Sequence, residues 1–360
     1  MLSNSFNRFF PMPTFLSMPS FGLDISDESL KFVSLKITQN GIRLKKYGER
    51  KISPGIIESG QIKDQKRLEE ILSSLGREEG IKSVRVSLPE EQVYLFRMRL
   101  LKAGLISVRE GIELSIEEHI PIPALDTIFD YEKLEENEES LHLQVAAISK
   151  NVIENYLSVF KNTGLSVQSF EVEAQAISRS VVAAKDFDTY MIVDFGEKRT
   201  GIFIVSKKVV AFTSTLDVGG VMLTSMIAKS FKIGMQEAEQ MKKDYGLQRN
   251  VANKEIFAVL LNSVSILRDE VVKHFLYWHT HKDEEGNDNP PIKKIILCGG
   301  DSNLIGLTDY LSISLKSKVE MADVWINILD PRREVPEINF KQALSFAAAI
   351  GLALGDFERD

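Results

Sequence analysis

An α/β protein of two related lobes, with a small α/β unit inserted in the first, is the fold class that this 360-residue sequence predicts. Two observations point there. The stretch Tyr190–Val205 reads YMIVDFGEKRTGIFIV. An apolar run, Met191 to Val193, delivers Asp194 at its end. Gly196 and Thr200 follow, and a second β-branched and aromatic run resumes at Gly201–Val205. The chain also does this earlier: Phe21–Leu35, FGLDISDESLKFVSL, puts Asp24 at the end of an apolar run, with Ser26, Ser29 and Lys31 behind it. Runs rich in Val, Ile, Phe and Tyr bounded by Gly and charge are strands of a hairpin. Each copy gains a third strand-like segment. Lys31–Ile37 turns at Asn40-Gly41 into Ile42–Tyr47, and Ile202–Ser206 turns at Lys207-Lys208 into Val209–Ser214. Two such meanders, each with an Asp at its first turn, make a duplicated domain with facing loops, and a ligand belongs in the cleft between them.

The residue types at these turns suit a metal-bound phosphate. Gly lets the backbone approach, amides and the Thr200 hydroxyl donate to phosphate oxygens, and Asp24 and Asp194 hold Mg²⁺ through water. Taken alone, either stretch reads equally as a polar hairpin turn; the repetition favours the phosphate reading.

Composition bounds the rest. A hydrophobic fraction of 44% and a charged fraction of 26%, with a mean hydropathy of −0.07, belong to a globular chain long enough for two or more cores. A net charge of −7 without a basic stripe argues against nucleic acid as a partner. The single Cys298 excludes an intramolecular disulfide and a Cys-based zinc site, and fits a reducing cytoplasm. No apolar run nears the ~20 residues that span a bilayer. Residues 1–20 are apolar and aromatic, are interrupted by Pro11, Pro13 and Pro19, and contain no acid. They read as a flexible tail or as a segment that touches a membrane surface or a partner.

In chain order, Lys63–Leu75 has the apolar period of a helix and Val84–Leu88 that of a strand. Residues 91–166 form the inserted unit: strand Val93–Leu100, helix Val108–Ile120, strands Asp126–Leu134 and Leu141–Ser149, and helix Asn151–Thr163 capped by Asn151. Glu113, Glu117 and His119 read as a solvated helix face rather than a metal site. Leu165–Val172 returns as a strand, followed by helix Ala174–Lys185. After the second meander, Gly219-Gly220 precede helix Val221–Phe231, a possible phosphate turn or a plain one. Helix Met235–Tyr245 sets Glu239 and Lys242 on one face, either as an exposed ion pair or reaching into the cleft. In the helical pattern Ile256–His281, His274, His279 and His281 lack HExxH spacing and read as surface plus core. The segment 282–291 is an exposed loop. Strand Ile292–Leu297 then leads to Cys298-Gly299-Gly300-Asp301-Ser302, helix Leu304–Leu315 follows, and the apolar helix Ala343–Leu354 is buried between domains. Gly299 and Gly300 leave a backbone shelf for a planar base.

The order of these stations resembles the actin, Hsp70 and sugar-kinase ATPase fold. Within it the chain resembles the type IV pilus assembly protein PilM family, a relative of the cell-division protein FtsA. The carriers span about Phe21 to Gly355: LDISDESLK at 23–31, PGIIESGQIKD at 54–64, EEHIPIP at 117–123, NTGLSVQSFEVEAQAISR at 162–179, VDFGEKRTGI at 193–202, DVGGVMLTSMIA at 217–228, EAEQMK at 237–242, LCGGDSNLIGLTDYL at 297–311 and FAAAIGLALG at 346–355. The resemblance implies an actin-like (ribonuclease H-like), duplicated two-lobe ATPase fold with a small FtsA-type 1C subdomain. It divides the chain into a tail (1–20), subdomain 1A (21–88, 167–186 and 340–360), 1C (89–166), 2A (187–220 and 291–339) and 2B (221–290).

It also implies a cytoplasmic ATP-binding scaffold, peripheral at the inner face of the cytoplasmic membrane. Such a scaffold binds the cytoplasmic N-terminal peptide of a PilN-like membrane protein in a groove between 1A and 1C, and so meets the pilus assembly platform and motor. By position, Asp24, Ser26, Ser29 and Lys31 form the first phosphate loop, and Asp194, Gly196 and Thr200 the second. Gly219 and Gly220 approach phosphate, Glu239 and Lys242 ribose, and Gly299, Gly300 and Ser302 the adenine; ATP and Mg²⁺ are the cofactors. The chain departs from the family pattern Asp-x-Gly-Ser-Ser-Ser-x-Lys at Ser26, Asp27 and Glu28, and carries Glu197 where a small residue is usual. Such carboxylates repel a triphosphate by ~1 kcal/mol or more per charge, or call for more Mg²⁺. An active small-molecule kinase of the same superfamily would need a general base and an acceptor site, for which no distinct signal is present. A filament former like FtsA would carry an amphipathic C-terminal helix, where this sequence reads GDFERD.

Overall fold

The computed structural model describes residues 20–38, 41–104, 107–248, 254–282, 286–328 and 336–357. Asn40, the tail before Ser20 and residues 283–285 of the expected loop lie outside that set.

The first lobe opens with β1 (Phe21–Ile25), β2 (Ser29–Thr38) and β3 (Gly41–Lys51), then the short pair β4 (Ile57–Glu58) and β5 (Gln61–Ile62). Helix α1 (Gln65–Glu79) follows, capped by Asp64 on the Arg67 amide at 3.0 Å. Then comes β6 (Ser83–Leu88). The insert comprises β7 (Val93–Leu101), α2 (Val108–Ser115), β8 (Thr127–Glu136) and β9 (Ser140–Ser149). Helix α3 (Lys150–Phe160), β10 (Ser166–Val172) and α4 (Glu173–Val181) return to the first lobe.

The second lobe repeats the plan with β11 (Thr189–Phe195), β12 (Thr200–Ser206) and β13 (Val209–Leu216). Helices α5 (Gly220–Phe231), α6 (Met235–Tyr245) and α7 (Lys254–Thr280) follow, then β14 (Ile292–Cys298), α8 (Leu307–Leu315) and β15 (Val319–Met321). Helices α9 (Phe340–Ala343) and α10 (Ala347–Leu354) complete the described chain.

The duplication is explicit in the sheets. The first runs β3-β2-β1-β6-β10 and the second β13-β12-β11-β14-β15. In both, the three meander strands are antiparallel and the last two join parallel. Asp24 sits across from Lys31, and Asp194 across from Gly201. Central strands covered on both faces are apolar almost throughout, which is why Met191–Val193 shows no alternation. The Lys207-Lys208 turn has φ of 52° and 70°, the mirror-image turn that suits strand twist.

All eight residues of α10 are buried, and six of them belong to a cluster that joins Val33 and Ile177 of the first lobe to Ile192, Phe203 and Ile296 of the second. Close approach explains its small residues. A Cβ on Gly351 would lie 1.7 Å from the Ala176 carbonyl oxygen, and one on Gly22 would lie 2.0 Å from that of Ala349. The insert has its own core, in which Met98, Leu143 and Val145 meet Ile112 and Ile116. Helix α3, grouped with the insert by the resemblance, instead packs Tyr156, Val159 and Phe160 among Leu23, Leu68 and Leu72 of the first lobe.

Several expected helices differ at their ends. Val108–Ile120 breaks after Ser115 into a 3₁₀ turn, Ile116–Glu118, so that Ile116 and Ile120 keep their place in the core. Asn151 is not a cap: α3 starts at Lys150, the cap position is Ser149, and no side-chain cap bond is made. Helix Ala174–Lys185 spans Glu173–Val181, because Val182 turns extended. Helix Leu304–Leu315 starts at Leu307, after Gly306 at φ 80°. Ala343–Leu354 is interrupted by a 3₁₀ turn at Leu344–Phe346.

Candidate functional site: a cleft between the lobes

A cavity of about 690 Å³ lies between the lobes, and both carboxylate turns open into it. Ten of the residues expected at the site line it: Asp24, Ser26, Ser29, Lys31, Asp194, Gly196, Glu239, Lys242, Gly299 and Gly300.

The first turn works without the glycine of the family pattern. Ser26 keeps negative φ, and its hydroxyl accepts the amides of Glu28 (3.4 Å) and Ser29 (3.2 Å) while donating to the Ser29 carbonyl. Lys31 Nζ donates to Ser29 Oγ at 3.0 Å. Asp24 is buried and accepts from Ser87 Oγ at 2.8 Å. Burial pushes its carboxyl up, against the pull of the Lys31 ammonium and the Ser87 hydroxyl. Asp194 is pushed up to about 6 by burial and by the Asp24 charge. The two carboxyls therefore face one space and feel each other, and a cation between them would relieve both. Among the described residues no three His, Cys, Asp or Glu side chains are placed to hold a metal directly, so an ion at this pair would be held through water.

Gly299 has φ 88°, and a Cβ there would lie 2.5 Å from Asp194 Oδ1, so only glycine lets this shelf meet the Asp194 turn. Gly300 meets nothing nearer than Ser345 Cβ at 3.6 Å, so the fold itself would accept a side chain there and the glycine only keeps the cavity wall open.

Four expected residues stand behind the wall. Thr200 is fully buried and donates to the Val218 carbonyl at 2.6 Å, and Ser302 is buried and donates to the Cys298 carbonyl. Gly219 packs on the backbone of Glu197 to Arg199, where a Cβ would lie 2.3 Å from Lys198. The Gly220 and Val221 amides donate to the Gly196 and Glu197 carbonyls at 3.0 and 2.8 Å. The start of α5 thus braces the second turn, and its leading amides are already engaged. A short polar side chain beside a turn is equally suited to bind a phosphate or its own backbone, and only packing decides between them.

Glu239 and Lys242 are not a surface pair. Lys242 is buried, with Nζ 2.9 Å from Glu239, 2.6 Å from Asp301 and 3.2 Å from the Gly220 carbonyl. Glu239, although desolvated, is held down at about 2 by Lys242 and Thr224, whereas burial raises Asp301.

Residues that the sequence reading did not place at the site complete the cleft. Glu173, first residue of α4, is raised well above the usual carboxyl range by burial and by Asp24 and Asp194. Its position in the quoted run FEVEAQAISR carried no spacing signal of its own. The carboxylates that depart from the family pattern are each met by a cation of the other lobe: Arg199 with Asp27 and Lys198 with Glu28 from the second turn, and Lys51, at the end of β3, with Glu197 at 3.2 Å. Arg199 also pairs with Glu91 at the root of the insert. Asp27 further accepts the Ser59 and Gly60 amides at 2.9 and 3.1 Å. The extra acids therefore close the mouth of the cleft by cross-pairing the two turns.

Other candidate clusters are structural. Glu113 pairs with Arg109, Glu117 accepts the Ala124 amide, and His119 stacks on Phe96. His274 packs on Phe212 and His281 on Tyr277. Cys298 is buried, and its thiol is pushed far up by burial and the Asp194 charge.

The family model described as type IV pilus assembly protein PilM matches residues 22–357. The chain belongs to that family. A solved structure described as the PilM–PilN type IV pilus biogenesis complex is 23% identical, with a TM-score of 0.78 over 95% of this chain and 99% of that one. MreB5 of Spiroplasma citri bound to ADP is 15% identical, with a TM-score of 0.56 over 92% and 94%. The cell division protein FtsA of Enterococcus hirae is 25% identical over 175 residues, which is 44% of this chain and 39% of that protein. The chain therefore spans about two fifths of that curated relative. The duplicated sheets are the actin-like ATPase fold, and the chain's role is in type IV pilus assembly. Among the described residues no helix is long and apolar enough to cross a membrane.

Proposed function

We propose that the chain is an adaptor that holds ATP with Mg²⁺ between its lobes and grips the cytoplasmic N-terminal tail of a PilN-like inner-membrane protein. The tail would lie in a groove between the first lobe and the insert, in the terms of the resemblance between 1A and 1C. One observation carries this reading: beside the cleft is a second cavity of about 1030 Å³, walled by β8 and β9 of the insert and by β10 and α4 of the first lobe. Helix α4 borders both spaces, with Glu173 and Ile177 toward the cleft and Gln175, Ser178 and Arg179 toward the groove.

In the cleft, Asp24 and Asp194 would hold Mg²⁺ through its waters, and their raised, mutually repelling carboxyls fit that ion. The ion would supply positive charge to the phosphates. Lys31 is the cation beside the first turn, and Gly299 and Gly300 form the open shelf on which the base would rest. In the groove, Leu88, Val93, Ile148 and Val172 offer an apolar floor. Peripheral residence at the inner face of the membrane follows from the partner, and the platform and motor of the pilus are met through it.

Isothermal titration with ATP–Mg²⁺ and capture by a tail peptide of the PilN-like partner test the two halves. Asp194→Ala should abolish nucleotide binding and leave peptide capture intact. Transfer of phosphate from ATP to a sugar would overturn the adaptor reading. Glu173 favours a second reading, in which ATP is also hydrolysed: a cation at Asp24 and Asp194 would offset the charges that, with burial, hold its proton, and the freed carboxylate would then be placed in the cleft to take a proton from water. That reading requires slow ATP turnover in the native chain and none in Glu173→Gln.

A further inference from the structure

The ion pairs that cross the mouth of the cleft are anchored firmly at both ends. On the second lobe the turn between β11 and β12 is held by its own backbone and by α5. The Gly196 amide donates to the Arg199 carbonyl at 2.9 Å, and the Gly220 and Val221 amides hold the Gly196 and Glu197 carbonyls. On the first lobe Asp27 accepts the Ser59 and Gly60 amides. The Gly60 carbonyl in turn accepts from the Tyr156 hydroxyl of α3 at 3.0 Å, and the Ser59 carbonyl from Gln92 Nε2 at 2.9 Å. A side chain that crosses between these two frames therefore joins braced parts of the lobes.

Arg199 makes the central crossing. Its guanidinium meets Asp27 of the first turn and Glu91 at the root of the insert, so one side chain ties three parts of the molecule. The planar fork of a guanidinium presents donors to two carboxylates at once. The Arg199 and Asp27 side chains are only 18% and 7% exposed, against 69% and 47% for Lys51 and Glu197, so water and salt screen the central crossing least. All three of its members line the cleft. A Ser at position 27, as in the family pattern, would leave Arg199 without its partner on the first turn. The crossing therefore belongs to this chain and not to the fold.

We propose that Arg199, with Asp27 and Glu91, is a latch that holds the lobes together with or without nucleotide, and that its opening sets the rate of nucleotide exchange. This rests on the cleft being the nucleotide site. A latch closed in both states raises the barrier to entry and to release alike, and leaves affinity nearly unchanged. A cation that binds phosphate slows release alone and so tightens binding. Rates and affinity together separate the two roles.

The test uses the full chain and fluorescently labelled ADP with Mg²⁺ in stopped flow. Arg199→Gln should raise the entry and release rates at least tenfold each and shift the affinity less than threefold. Glu91→Gln keeps the crossing to Asp27 and should raise both rates by a smaller factor. Arg199→Lys should fall between the native chain and Arg199→Gln. Release from the native chain should quicken as salt is raised from about 0.05 M to about 0.5 M, and less steeply in Arg199→Gln. A readout without nucleotide comes from spin labels at Glu70→Cys in α1 and Lys229→Cys in α5, both exposed and one in each lobe; Cys298 is buried and stays unlabelled. Pulsed electron paramagnetic resonance on the empty chain should give one separation in the native background and a second, longer one with Arg199→Gln. Exchange rates that Arg199→Gln leaves unchanged, or a faster release with unchanged entry, overturn the latch. So does a label separation that the variant leaves unchanged. A longer separation in a chain that takes up no ADP overturns the nucleotide reading and leaves the latch between the lobes standing.

Discussion

Glu90 gives the sharpest test of how the junction of lobes and insert is built. It follows Pro89 where the chain leaves β6 for the insert, and it is 6% exposed. Oε2 accepts the Ala174 amide at 3.3 Å, the Thr213 hydroxyl lies alongside, and Oε1 has no hydrogen-bond partner among the described residues. Burial raises the carboxyl from 4.5 to about 7, against the two donors. Between those values the folded chain keeps a proton that the unfolded chain releases. The contribution of Glu90 to stability therefore falls as pH rises through that window and is constant above it. At about 1.4 kcal/mol for each pH unit, the penalty at pH 8 is about 3 kcal/mol.

Glu90→Gln keeps the shape and cannot ionise, so it should be the more stable protein at pH 8 and equal to the native chain near pH 4.5. With an unfolding entropy of ~2.1 cal/mol/K per residue over the 360 residues, that difference is a rise of about 4 °C in the thermal midpoint. Differential scanning fluorimetry at both pH values reads it. A variant that melts at or below the native midpoint at pH 8, or that gains as much at pH 4.5, would refute the argument.

Further expectations concern close packing and charge. Gly351→Ala would put a Cβ 1.7 Å from the Ala176 carbonyl oxygen and should destabilise by about 3 kcal/mol, read as a lower midpoint. Gly300→Ala, with nothing nearer than 3.6 Å, should keep the native midpoint and weaken ATP–Mg²⁺ binding in titration. Lys242→Met leaves Asp301 buried without its cation and should destabilise by ~3 kcal/mol at pH 7. Because Glu239 is held near 2 by Lys242, its share of native stability is present above 4.5 and lost as pH falls toward 2; the gap to the variant should narrow over that range in thermal melts. Replacing Asp27 and Glu28 together by Ser removes two carboxylates and their cross-lobe pairs. Lys198 is then left without its acidic partner beside the cleft, which should tighten ATP–Mg²⁺ binding about tenfold; an unchanged titration would show that the released cation does not act on the phosphates.

Local patterning determined a large part of this molecule. The two Asp-bearing hairpins, the repeated meander and the apolar closing helix are legible because strand alternation, turn residues and small-residue packing act over a few neighbouring positions. Asp24, Lys31, Asp194 and the Gly299-Gly300 shelf were reached that way, and they face one cavity. The tertiary structure alone decided which hydroxyls and amides are spent on the fold. Thr200 and the Gly220 amide bond to backbone because segments some twenty residues away arrive beside them, while Ser302 is taken by the Cys298 carbonyl of its own turn. It alone set Asp27 against Arg199, 172 residues away, and turned apparent repulsion into pairing. It alone brought Glu173 and Glu90 under the cleft, where a pKa depends on burial by elements the local sequence does not contain.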